Sequence, residues 1–156
     1  DAVFTLDPVA TCGGAAGSCT EKNPDILSGA VATLDIPLGF VGETLNATGG
    51  IGGQACAPED GNFLRFYEAA TDATALAPWV AAWEVTGADH IDFVWDTEDC
   101  IACLFCEEGT ALPADVQRAS ATLATAFFRR HLHEDLAMEA WLTGTRLPAG
   151  LVLSVP

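Results

Sequence analysis

Basic charge is what this sequence most lacks. Lys22 is its one lysine, and Lys and Arg together number 6 against 22 Asp and Glu, for a formal charge of −16. So acidic a surface repels a phosphate backbone, which argues against nucleic acid as a partner. The same deficit removes polybasic attachment to anionic membranes. Long apolar runs are missing too: nothing approaches the roughly 20 residues of a spanning helix. The chain opens with Asp1 and a strand-like run, without a signal-peptide pattern, and a start lacking Met leads to the expectation of a processed or truncated product. No D-x-[DN]-x-[DN]-G calcium loop is present. The acidity therefore reads as a solubility device compatible with salt rather than as a cation-binding face. Low hydrophobicity, the other requirement for disorder, is also absent, since 50% of residues are apolar. The length fits one domain, residues 1–156.

Cysteine, by contrast, is plentiful: Cys12, Cys19, Cys56, Cys100, Cys103 and Cys106. An even number in a Lys-poor acidic chain points to disulfides and an oxidising compartment, secreted or periplasmic. Cys100, Cys103 and Cys106 form C-x2-C-x2-C, a spacing also used for iron–sulfur ligation. The bacterial ferredoxin run would continue C-x3-C-P, whereas Glu-Glu-Gly-Thr follows Cys106. A zinc site would need a fourth ligand, available only from His131 or His133 by tertiary accident. No metal or other cofactor is expected. Six cysteines allow 15 pairings; the preferred set is Cys12 with Cys19, Cys56 with Cys100, and Cys103 with Cys106.

Strand and helix signals alternate along the chain. AVFTL at Ala2–Leu6, LGFVG at Leu38–Gly42 and WVAAWEV at Trp79–Val85 read as buried strands. A helix is expected over Asn62–Ala70, with Asn62 as its N-cap. The strongest helix follows Leu112-Pro113, with Val116, Ala119, Leu123, Ala126, Phe127 and Leu132 on one face. Arg129, Arg130 and His131 sit in its last turns, where cations suit the helix dipole. A shorter helix is expected over Leu136–Leu142. The pattern is α/β, with parallel strands covered on both faces by helices. Three strands make too small a sheet, leaving an unpaired apolar edge, so a partner segment is expected to complete it.

In open α/β sheets, ligands gather beyond the carboxyl ends of the strands. Asp7 and His90 both follow strands, and a carboxylate holding an imidazole is half of a nucleophile-activating relay. Ser, then Asp or Glu, then His is the chain order of such relays in α/β-hydrolases. The nucleophile would therefore precede Asp7. No G-x-S-x-G occurs, and Ser18 lies in a Gly-rich loop rather than in a strand–turn–helix elbow. Asp7 before Pro8 could also be a plain turn former. Glu43, after LGFVG, is the alternative acid, because most α/β-hydrolases place it there. Trp95 is the substrate-near candidate, since it follows His90 closely. Asn46-Ala47-Thr48 fits a glycosylation sequon.

Four segments, in order, carry a family resemblance. Thr5-Leu6-Asp7-Pro8-Val9 resembles a "DPV" strand end. Cys56-Ala57-Pro58 with Asn62 and Phe66-Tyr67 resembles a "CAP…N…FF" stretch. Gly87-Ala88-Asp89-His90-Ile91-Asp92-Phe93 resembles a "GxxHxDF" loop. Ala126-Phe127-Phe128-Arg129-Arg130-His131-Leu132 resembles a closing esterase helix. Together they resemble the C-terminal half of an α/β-hydrolase of the chlorophyllase and platelet-activating-factor acetylhydrolase-like esterases. The resemblance implies that Asp7 is the triad acid and His90 the base. It implies an N-terminal fragment of the same hydrolase as partner, carrying the serine and oxyanion donors, and a small-molecule or polymeric ester as substrate. The Cys100–Cys106 cluster and the Gly-rich stretch near residue 50 depart from that pattern. If both residues end neighbouring strands, the Asp7 carboxylate should lie roughly 2.6–3.2 Å from His90 Nδ1. The alternative is a non-catalytic cysteine-rich module for binding, metal or electron transfer, built on Cys100, Cys103 and Cys106.

Overall fold

A computed structural model describes residues 1–10, 20, 25–27, 29–48, 55–94 and 106–154. Its centre is a four-stranded sheet in the order β1 (Val3–Leu6), β2 (Leu38–Gly42), β3 (Val80–Val85), β4 (Leu151–Ser154). The first three strands run parallel, with Val3 opposite Leu38 and Leu38 opposite Val80. The mixed α/β class expected from the alternating pattern is the class observed. β4 is antiparallel to β3, with Val85 opposite Leu151. The sequence reading missed it.

Every residue of β2 is buried, as a strand covered on both faces requires. Side chains alternate between those faces. Val41 joins Ala81, Trp83 and Val85 on one side, packed with Leu123, Ala126 and Phe127 of α2 (Pro113–Leu132) and Leu142 of α3 (Glu139–Leu142). Leu38 and Phe40 join Ala82 on the other, against Phe63, Phe66 and Ala70 of α1 (Phe63–Thr71). Asn62 caps α1, its side-chain oxygen accepting from Leu64 N at 3.1 Å. Pro113 opens α2, where its missing N–H costs nothing. The expected helix at residues 136–142 divides into a 3₁₀ turn, Leu136–Met138, and α3. No helix among the described residues is long and apolar enough to cross a membrane.

Two expectations about α2 need correction. Leu132 is not on the buried stripe; it is 49% exposed beyond the last core turn. His131 is not simply a helix-terminal cation. Its ring packs 4.6 Å from Trp79 and 4.8 Å from Phe127, and Nε2 is buried without a partner. Burial first, then the Arg130 charge, pushes its pKa down. Helical periodicity could not show that the ring turns inward onto two aromatics.

Two stability tests follow from this packing. Asn62→Ala should cost ~1 kcal/mol, and Phe127→Ala, which empties a fully buried ring site, about 3–5 kcal/mol, both read from urea midpoints. His131 gives a pH test. The unfolded chain takes up its proton near the ordinary value of about 6.5, whereas the folded chain resists protonation until lower pH. Stability should therefore fall as pH drops below about 6.5 and level off below the depressed folded pKa. His131→Phe should flatten that part of the melting-temperature profile relative to the parent; an unchanged slope would contradict the packed neutral ring.

Candidate active site

Three carboxyl ends of parallel strands converge on one place. Asp7 follows β1 in a left-handed conformation, φ 38°, which Asp tolerates better than most residues. Its N–H donates to Val41 O at 2.6 Å, folding the chain over the end of β2. Gly42 makes room there. A Cβ on it would strike the Phe63 ring and stand 2.5 Å from Asp7 Oδ1. Glu43 N–H then donates to Asp7 Oδ1 at 3.2 Å.

His90 arrives from β3. Asp89 caps a 3₁₀ turn, His90–Phe93, in a reciprocal box: its Oδ1 accepts from Ile91 N and Asp92 N, while Asp92 Oδ2 accepts from Asp89 N. Asp89 Oδ2 also accepts from Gly109 N at 2.7 Å, fixing the returning chain against the turn. Held this way, His90 Nδ1 lies 2.6 Å from Asp7 Oδ2. Asp7 and His90 were expected to end neighbouring strands, and they do not: β2 lies between β1 and β3. They meet across the end of β2, where Glu43 stands.

Asp7 is 4% exposed and Glu43 is fully buried, whereas the His90 side chain is 31% exposed. Burial raises the Asp7 pKa, opposed by the His90 hydrogen bond. That hydrogen bond raises His90, against its own desolvation. Glu43 is pushed up to about 7, by burial and then by the Asp7 charge, while the Asn46 N–H opposes the shift. Of the two candidate acids, Asp7 makes the hydrogen bond to the imidazole. Glu43 Oε2 instead accepts from Asn46 N at 2.8 Å.

In the sequence Asn46 shows only as part of a sequon. It is 1% exposed, so the folded chain offers no amide there for a glycan. Its Oδ1 accepts from His90 N at 3.1 Å, its Nδ2 donates to Glu107 O at 2.9 Å, and its carbonyl accepts from Ala57 N. Cys56 and Cys106, the neighbours of Ala57 and Glu107, form a disulfide. This corrects the preferred pairings Cys56–Cys100 and Cys103–Cys106. The bond also removes Cys106 from any cluster held by all three thiolates of C-x2-C-x2-C. Cys12, Cys19, Cys100, Cys103 and Trp95 lie outside the described residues.

Asp7, Glu43 and His90 each bring one possible metal-ligand atom within 4.8 Å of the others. Yet Nδ1 and Oδ2 stand closer, at 2.6 Å, than the ~3.3 Å separating two tetrahedral ligands on one zinc at about 2.0–2.1 Å. The contact has the geometry of a shared proton. A carboxylate that fixes the Nδ1 proton leaves Nε2 free to accept one, so the arrangement can act as a general base. No family model matches this chain, and no curated protein is significantly similar to it.

Gly42→Ala tests the close approach. The added methyl should displace the Asp7 carboxylate, lower the His90 pKa towards its ordinary value, and destabilise the fold by about 1–3 kcal/mol. An unaltered His90 titration by NMR would show that Asp7 does not depend on Gly42.

Proposed function

We propose that this chain is the acid-and-base-bearing part of a serine ester hydrolase of the α/β-hydrolase type, related to the chlorophyllase and platelet-activating-factor acetylhydrolase-like esterases. The observation that carries the reading is the 2.6 Å contact between Asp7 Oδ2 and His90 Nδ1 at the carboxyl end of a parallel sheet. Asp7 keeps the proton on Nδ1. Nε2 takes the proton of a serine hydroxyl as that oxygen attacks the ester carbonyl, then returns it to the departing alcohol. In the second half, His90 activates water to release the acid. His90 and Asp7 carry these roles in the proposal, and no metal or cofactor enters it.

The serine is supplied by a further segment, the N-terminal fragment of the same hydrolase. Among the described strands, β1 pairs only with β2, and Val3 and Leu6 are 36% and 49% exposed. Beside β1 an apolar groove of about 340 Å³ is lined by Phe4, Leu6, Phe93, Ser120 and Phe128. An unpaired edge and an apolar flank favour such an association. The Cys56–Cys106 bond fits an oxidising compartment, so the proposed site of action is secreted or periplasmic.

The test is hydrolysis of p-nitrophenyl acyl esters together with fluorophosphonate labelling. Alone, the chain should show neither. Joined by a serine-bearing segment (the stretch encoded before Asp1 is the one to supply), it should show both. In that assembly His90→Ala should abolish turnover, and Asp7→Asn should lower kcat by ~10⁴, as the same change does in a protease triad. Near-normal turnover by His90→Ala would refute the assignment.

A further inference from the structure

Two carboxyl groups are buried side by side beyond β1 and β2, and the proposed reaction uses only one. We infer that Glu43 is a positioning residue that holds a proton behind the Asp7–His90 pair, so that the two buried carboxyls share one negative charge and that charge stays on Asp7. The inference rests on the esterase reading and assigns a role to a group that reading leaves idle.

Hydrogen bonding decides which carboxyl is charged. Asp7 is served by the Glu43 N–H on Oδ1 and faces the imidazole at Oδ2. Glu43 has the Asn46 N–H on Oε2, with a weaker contribution from the Leu45 N–H, while Oε1 is buried without a partner. An ionised carboxylate with one oxygen orphaned in a fully buried position is far costlier than the neutral acid. The pKa near 7 agrees with this distribution. The titratable groups that act on Glu43 are Asp7, from the end of β1, and His90, from the turn after β3; Asp89, next to His90, acts on both of those.

The consequence for His90 has a definite sign. A second negative charge beside the pair favours the imidazolium, and an imidazolium cannot serve as base. By keeping its proton, Glu43 leaves His90 neutral at lower pH than two charged carboxylates would allow. The two titrations are therefore coupled. Through Asn46, the same side chain also braces the His90 backbone. Glutamine can supply that brace but cannot ionise.

NMR titration of the His90 ring in the 156-residue chain separates the two roles. The parent should show a second inflection near neutral pH, when Glu43 ionises. Glu43→Gln should remove it and leave the main His90 midpoint essentially unchanged, because glutamine copies the neutral acid. A second inflection that persists in folded Glu43→Gln, or a main midpoint that falls by about 1 pH unit as loss of an already charged neighbour would cause, would overturn the inference. If that variant does not fold, the Glu43 Cδ resonance in the parent decides: a midpoint well above the ordinary ~4.3 supports the inference, and an ordinary midpoint overturns it. Asp7→Asn is the control for the underlying reading. If it leaves the His90 midpoint unchanged, the pair itself fails. If it lowers the midpoint while Glu43→Gln keeps the second inflection or itself lowers the main midpoint, only the role of Glu43 fails.

Discussion

A carboxylate removed from water must be repaid in hydrogen bonds or give up its charge, and at the carboxyl end of this sheet that choice is forced on Asp7. It is buried to 4% exposure, and its oxygens meet a backbone N–H and an imidazole. Replacing either by a group that cannot donate would leave buried charge unpaired, which costs more than the bond itself contributes. Much of the surrounding architecture serves to keep those two donors in place.

The means are local and differ on each strand. After β1, the left-handed turn at Asp7 and its bond to Val41 O aim the carboxylate across β2. On β2, the missing side chain of Gly42 leaves room for it. After β3, the Asp89–Asp92 capping box sets the turn that carries His90. Asn46 then ties the His90 backbone to the Glu107 carbonyl, beside the Cys56–Cys106 link. Strands separated in sequence thus deliver an acid and a base to one point, while the rigid sheet fixes their spacing.

Periodicity made α1, α2, β2 and β3 legible, because each buries a continuous face; β1, expected to be a buried strand, is instead exposed at Val3 and Leu6. LGFVG could hardly be anything but a covered strand, and Asn62 announced the start of α1. Asp7 and His90 were legible as strand-end residues. Their meeting across β2 was not, because strand order is a tertiary property. β4 escaped notice because LVLS is short and pairs with β3, far away in sequence. Asn46 showed only a sequon, since a buried amide and a surface one are written with the same letter. The Asp89-x-x-Asp92 spacing is itself a capping signal, and the structure uses it to set the turn that carries His90. Cysteine pairing depends on which loops the fold brings together, and spacing in the sequence favoured nearer neighbours than Cys56 and Cys106.

The central claim is that Asp7 holds the proton of His90 on Nδ1 and leaves Nε2 to do the chemistry. Ring ¹⁵N NMR of His90 above its pKa measures this directly. The account predicts the Nδ1–H tautomer, with an Nδ1 proton shifted far downfield by the short bond to Asp7 and lost in Asp7→Asn. A His90 ring found as the Nε2–H tautomer, with no such proton, would contradict it.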